Sequence, residues 1–169
     1  AGGRLLEHPV TLARLDNLTG AIGALEALVR ALGAYDEQGG VHGGQGGLPQ
    51  EACMACKCVA SELLWEAADM LMQLLGGRGY LEPNLAPLLM RDARVMRILE
   101  GPTEALYVHL GTGAMEGGCL AFVASLADGE AVASEARAAL VRAGTAVSAY
   151  AAGELCAWAL LLAAAGEGV

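Results

Sequence analysis

Hydrophobic positions in the first half of the chain recur at three- and four-residue steps, which is the period of one helix face. Between residues 9 and 35 this repeat is carried by Leu12, Leu15, Leu18, Ile22, Leu25, Leu28, Val29 and Leu32. The same period returns over residues 51–75, where Gly76-Gly77 ends it. The pattern predicts two long helices. The segment 36–49 between them contains six glycines and a proline, so we expect a flexible loop there.

Shorter helices are predicted after the glycine turn. Residues 81–87 contain two prolines and an asparagine, which favours a loop or a single turn before a helix over about 88–99. The Gly-Pro step within 100–103 disfavours a continuous helix, and Pro102 suits the first turn of a new helix that continues to about Leu110. Beyond it, Gly and Asp separate three apolar segments that predict three more helices, over 114–126, 131–141 and 146–165.

The composition favours an all-α fold and argues against some partners. Hydrophobic residues make up 55% of the 169 residues but aromatic residues only 4%, so the core must be built mainly from residues that suit close-packed helices. The formal net charge of −9 repels phosphate backbones and anionic lipid surfaces. We therefore expect neither nucleic-acid binding nor a membrane-surface role.

The cysteines and the apolar segments bear on location. The five cysteines are an odd number without regular spacing, and the sequence does not open on a signal-peptide pattern, so a cytoplasmic location is expected. Cys53, Cys56 and Cys58 lie inside a helical pattern without a second ligand pair, which favours buried thiols over a metal site. The most apolar stretch, 155–165, is about half the length of a membrane span, so none is expected.

Three short motifs follow one another between residues 73 and 101. They are Gln73-Leu74-Leu75-Gly76-Gly77-Arg78-Gly79-Tyr80, Arg91-Asp92-Ala93-Arg94 and Ile98-Leu99-Glu100-Gly101. Their order and spacing resemble the closing signature of the acyl-CoA dehydrogenase family, a glutamine and glycine turn followed by an Arg-Asp pair and an EGT motif. The opening Gly3-Arg4-Leu5-Leu6-Glu7-His8-Pro9 resembles the family segment that enters the first long helix of the C-terminal domain.

The resemblance covers roughly residues 2–112 and implies a domain organisation. Over 1–113 it implies the up-and-down four-helix bundle of the family's C-terminal domain, and the remaining residues 114–169 are expected to form a helical extension. Family members hold FAD between this bundle, an N-terminal helical domain and a middle β-domain, across a dimer interface. The chain is therefore expected to be a partial one that forms a homodimer or homotetramer.

The chemistry that the resemblance implies is the α,β-dehydrogenation of an acyl thioester by FAD. Glu100 stands where most of the family carries the catalytic base, its backbone N–H would point at the thioester carbonyl, and Gly101 would contact the substrate. Gln73, Gly76 and Gly77 would contact the FAD of a partner subunit. The sequence departs from the family pattern after Gly101, because Pro102 replaces a threonine. Thr103 is expected to substitute for that cofactor contact, and Glu104 would be a weaker one.

Several alternatives stay open at this stage. Glu100 could simply begin a helix, since acidic residues favour helix starts, and some family members carry the base on another helix. Arg91, Asp92 and Arg94 are expected to orient helices through ion pairs. The thioester could be carried by CoA or by an acyl-carrier protein, and an electron-transfer flavoprotein could accept the electrons. Because Pro102 breaks the pattern, the chain could also be a non-catalytic helical module for dimerisation or partner binding.

Overall fold

A computed structural model describes residues 4–37, 47–114 and 116–166 of this chain. These residues form eight α-helices and two short 3-10 helices, and they contain no strand. The α-helices are α1 Pro9–Glu37, α2 Gln50–Leu75, α3 Gly77–Tyr80, α4 Ala86–Met96, α5 Thr103–Thr112, α6 Gly118–Ser125, α7 Gly129–Ala143 and α8 Ala149–Gly166. The 3-10 helices are Leu5–Glu7 and Gly144–Ala146. The predicted all-α class is confirmed.

The two long helices follow the hydrophobic repeat closely. Helix α1 starts at Pro9 as predicted and extends two residues beyond the predicted end. Helix α2 ends at Leu75 because Gly76 adopts a left-handed conformation with φ of 57°, which a glycine reaches without a steric penalty. Of the predicted loop, Asp36 and Glu37 belong to α1, while residues 38–46 lie outside the described ranges.

The shorter helices depart from the predicted boundaries. Helix α4 ends at Met96 rather than near Leu99, because the next four residues form turns instead of helix. Pro102 is the N-cap residue of α5. Its ψ of 140° is extended, so it precedes the first helical turn rather than lying in it. Helix α6 begins at Gly118 rather than at residue 114, because Gly117 has φ of 120° and does not fit a right-handed helix. The single-turn helix α3 was not predicted.

Helix α8 occupies the centre of the packing. Its interface with α5 is the most extensive of the described helix pairs, and α8 also packs against α1, α2, α6 and α7. One hydrophobic cluster includes fully buried side chains from both parts of the chain, among them Leu28, Val59, Leu120 and Leu160. The division at residues 113 and 114 stays a prediction, since helices from both sides of it share this core.

Glycines allow α5 and α8 to approach closely. A Cβ added at Gly153 of α8 would collide with the carbonyl oxygen of Tyr107, and one added at Gly111 of α5 would collide with that of Ala149. Such contacts bring the two backbones together where any larger residue would separate them. The α5–α8 interface therefore depends on these two glycines.

Helices α1 and α8 are each long and apolar enough to cross a membrane when judged by length and composition alone. Half of the apolar window of α8 is buried inside the fold, so core packing accounts for its composition. Much less of the apolar window of α1 is buried. Val10, Ile22 and Val29 are among the exposed apolar side chains of the whole helix. The expected absence of a membrane span stays a prediction.

The substitution Gly153→Ala tests the close α5–α8 contact. We expect it to lower the free energy of unfolding by about 2 kcal/mol or more, because overpacking a tight backbone contact forces the helices apart. Urea unfolding followed by circular dichroism measures the change. The matched control is Gly33→Ala in α1, where an added Cβ meets no atom within 4 Å. In Gly33→Ala the free energy of unfolding should rise by up to about 1 kcal/mol. Equal stability of the two variants would contradict the contact.

Candidate functional site

The turn between α4 and α5 has the most unusual backbone of the described chain. Glu100 has φ of 56° and is the one described residue other than glycine with a positive φ. The left-handed conformation costs such a residue roughly 1–2 kcal/mol. Gly101 follows with φ of 102°, and Pro102 disfavours a helical conformation for the residue before it. Strained residues of this kind cluster at functional sites, provided that the surrounding structure holds them.

Thr103 holds the end of the turn on the α5 side. Its backbone N–H donates to the Arg97 carbonyl oxygen at 3.1 Å, and its hydroxyl O–H donates to the same oxygen at 3.3 Å. The Thr103 side chain is only 1% exposed, so both bonds are shielded from water. The two bonds close residues 97–103 into a loop.

Helix α2 holds the same turn from the other side. Lys57 Nζ donates to the Gly101 carbonyl oxygen at 2.8 Å, and Arg97 Nε donates to Glu62 Oε1 at 2.7 Å. The Arg97 and Glu62 side chains are 20% and 19% exposed, so this ion pair is largely shielded. Bonds with a charged donor are stronger than neutral ones. The turn is therefore attached to α2 at its beginning and after Glu100.

The exposed groups of the turn could act on a polarised carbonyl compound. The Glu100 side chain is exposed. The backbone N–H of Glu100 donates no hydrogen bond to any residue that the structure describes, and that of Gly101 donates no well-aligned one. A carboxylate can remove a proton, and backbone N–H groups can stabilise a negatively charged oxygen. The turn offers both within two consecutive residues.

The second set of predicted residues surrounds the C-terminal end of α2. Gln73, Gly76 and Gly77 are exposed, and the Gly76 N–H donates to the Gln73 carbonyl oxygen at 3.1 Å. A Cβ added at either glycine would meet no atom of the described chain within 4 Å. Because the backbone is bare and open here, a phosphate group could approach it closely.

The two sets do not form one compact site within one chain. Lys57, which contacts the Glu100 turn, and Gln73 are both on α2, 16 residues apart. At 1.5 Å per residue this separation is about 24 Å along the helix axis. The Glu100 turn therefore lies against the first half of α2, and the glycine turn lies at the C-terminal end of that helix.

A cleft that the sequence did not predict lies between these two sets. It is lined by Trp65, Met72, Tyr80, Glu82, Pro87, Met90, Arg91 and Arg94. The exposed Arg91 forms an ion pair with Glu82 at 3.1 Å, but Glu82 lies in the segment between α3 and α4, so this pair does not join two helices. The Arg94 guanidinium instead lies 5.8 Å from the centroid of the Trp65 ring, at cation–π distance. The cleft combines aromatic surface with positive charge, which only the folded arrangement reveals.

The sequence was also compared with known protein families. The model of the family described as acyl-CoA dehydrogenase, C-terminal domain, matches residues 1–115. The chain belongs to the acyl-CoA dehydrogenase family. The match includes α1 to α5 and hence both the Glu100 turn and the glycine turn, while α6, α7 and α8 lie beyond it. No solved structure matches the chain significantly.

Thr103 and Glu104, two predicted cofactor contacts of this acyl-CoA dehydrogenase domain, each have a structural role in the fold. The Thr103 hydroxyl donates inside the structure to Arg97, and its side chain is buried. Glu104 is exposed in the first turn of α5, where the helix dipole favours a carboxylate. These placements account for both residues structurally, and their contact with FAD stays a prediction.

The cysteines of this domain vary in exposure. Cys58, Cys119 and Cys156 are fully buried, and burial raises the pKa of these thiols to about 11, 12 and 11. Such thiols stay protonated at neutral pH and are poor nucleophiles. Cys53 differs from the prediction of buried thiols, because it is exposed on α2. The described residues contain no group of three side chains placed to hold a metal ion.

Substitutions at Glu100 test the strained backbone of the acyl-CoA dehydrogenase turn. We expect Glu100→Gly to be more stable than Glu100→Ala by about 1 kcal/mol, since glycine adopts a positive φ without penalty. The same pair of substitutions at the exposed helical residue Glu66 is the control, and there alanine should be the more stable by about 1 kcal/mol. Urea unfolding measures all four variants. The same order at both positions would rule out a left-handed Glu100.

Proposed function

We propose that this chain is the C-terminal domain of an FAD-dependent acyl-thioester dehydrogenase, with Glu100 as the catalytic base. Membership in the acyl-CoA dehydrogenase family supports the general class of flavoenzyme. The observation that carries the finer proposal is the turn itself. It holds Glu100 in a left-handed conformation and leaves its carboxylate exposed beside the Glu100 backbone N–H, which has no hydrogen-bond partner among the described residues.

In the proposed reaction, Glu100 removes a proton from the α-carbon of the acyl thioester. The N–H groups of Glu100 and Gly101 donate to the thioester carbonyl oxygen, where negative charge develops as the C–H bond breaks. This stabilisation makes the α-proton more acidic and lets a carboxylate act as the base. Bound FAD supplies the acceptor for the hydride that leaves the β-carbon, so the substrate gains a double bond.

The residues around the glycine turn fit an FAD phosphate group. Gly76 and Gly77 present open backbone, and Arg94 brings positive charge to the neighbouring cleft, where Glu82 pairs with Arg91. Gln73 is exposed beside them. Because Gln73 lies about 24 Å along α2 from Lys57, which contacts the Glu100 turn, we propose that the glycine turn contacts the FAD of a partner subunit in a homodimer or homotetramer. Contacts of Thr103 and Glu104 with FAD belong to the same proposal.

The remaining parts of the proposal rest on the family. The thioester is that of CoA or of an acyl-carrier protein, and an electron-transfer flavoprotein is the proposed electron acceptor. The enzyme is proposed to work in the cytoplasm. The N-terminal helical domain and the β-domain of the family would complete the flavin site, so this chain by itself should not hold FAD tightly.

A second candidate function is supported by an apolar groove between α2 and α4. Leu64, Leu71, Leu89 and Met96 line this groove, and all four side chains are at least 36% exposed. An exposed apolar surface of this kind is typical of a protein interface. It favours a helical module that binds a partner chain, with or without catalysis.

Anaerobic bleaching of the bound flavin tests the proposed reaction. The native flavoprotein that carries this chain is mixed with a panel of acyl-CoA and acyl-carrier thioesters. Glu100→Gln should slow bleaching by at least about a hundredfold, the usual scale for loss of a general base. The control variant is Glu66→Gln, which changes an exposed carboxylate on α2 in the same way and should bleach at the native rate.

The outcomes separate the two candidate functions. Equal bleaching in the native protein and in Glu100→Gln would assign the base to another residue. A native protein that neither binds flavin nor bleaches would support the non-catalytic module instead. A hundredfold loss confined to Glu100→Gln would establish both the reaction and the residue.

A further inference from the structure

Lys57 is the single lysine among the ten basic residues of the sequence. Its ammonium group donates to the Gly101 carbonyl oxygen at 2.8 Å, across 44 residues of sequence, and the contact is partly buried. Lys57 takes part in none of the ion pairs of the described chain, which join Glu26 to Arg30, Glu82 to Arg91 and Glu62 to Arg97. The ammonium is thus engaged by a backbone carbonyl next to Glu100 rather than by a carboxylate.

We propose that Lys57 is a positioning residue for the reaction, holding the turn so that the Glu100 carboxylate meets the α-carbon of the substrate. This inference rests on the proposed function. The Glu100 backbone is in a conformation that costs roughly 1–2 kcal/mol, so it persists only where neighbouring contacts hold it. Of the contacts that hold this turn, the bond from Lys57 lies nearest to Glu100 in sequence.

The bond has the properties that a positioning contact needs. Lys57 lies within the 26-residue helix α2, which is more rigid than a loop. A charged donor forms a stronger hydrogen bond than a neutral one. Thr103 and Arg97 already fix the rest of the loop, so Gly101 is the point at which its central part is attached to α2. Loss of this attachment would free Glu100 to relax from its left-handed conformation without unfolding the helices.

The test compares Lys57→Met, Lys57→Arg and the control Arg30→Met in the native flavoprotein. Methionine keeps the length and removes the donor, whereas arginine retains a donor. The control removes one positive charge from an exposed side chain on α1 that does not contact the turn. Two experiments are done on each variant. One measures amide hydrogen exchange of residues 97–103, and the other measures kcat and KM for flavin reduction by an acyl thioester.

For Lys57→Met we expect faster exchange in 97–103 and a fall in kcat on the order of ten- to a hundredfold, since a displacement of about 1 Å can cost a hundredfold in rate. The KM value should change by less than about threefold, because the binding groups are retained. Lys57→Arg should recover most of the rate, and Arg30→Met should match the native protein in both measurements.

Unchanged exchange in Lys57→Met would overturn the proposal, and so would faster exchange together with an undiminished kcat in an active enzyme. A rise of KM alone would also overturn it, because Lys57 would then act on binding. Should the native protein fail to reduce its flavin with any thioester, the proposed function fails, and the exchange of 97–103 still decides by itself whether Lys57 holds the turn.

Discussion

The close backbone contact between α5 and α8 is the constraint on which the rest of the structure depends. Gly111 and Gly153 allow the two helices to approach until neither position has room for a Cβ. Helix α8 also packs on α1 and α2, so this contact fixes α5 against the long helices. Helix α5 begins directly after the turn that carries Glu100, and its position therefore sets where that carboxylate lies relative to α2.

Much of the fold could be predicted from the sequence, because helix periodicity and glycine stops are local signals. Gly76 ends α2 as predicted, and the order of motifs identified the family that the comparison confirmed. Three features could not be predicted, since each depends on contacts between distant residues. They are the central place of α8, the left-handed conformation of Glu100 and the bond from Lys57 to Gly101. A glutamate gives no local signal for a positive φ, which glycine normally provides.

Several of the few basic residues of this acidic chain lie near the proposed site. The sequence carries a formal net charge of −9, yet Lys57, Arg91, Arg94 and Arg97, four of its ten basic residues, lie at or near the Glu100 turn and the adjacent cleft. Two of the arginines lie 5.8 Å from the same Trp65 ring. Glu82 and Glu62 pair with Arg91 and Arg97, so the positive charge left for an anionic cofactor comes from Lys57 and Arg94.

The most direct test of the central claim is a crystal structure of the native flavoprotein with an acyl-CoA analogue in which sulfur replaces the β-carbon, so that the thioester carbonyl is kept and no hydride can leave. We expect a Glu100 carboxylate oxygen at about 3–3.5 Å from the α-carbon of the analogue, the distance of a reactive arrangement. The backbone N–H of Glu100 or Gly101 should face the oxygen of the analogue. A carboxylate from another helix in that place, with Glu100 turned toward solvent, would contradict the account.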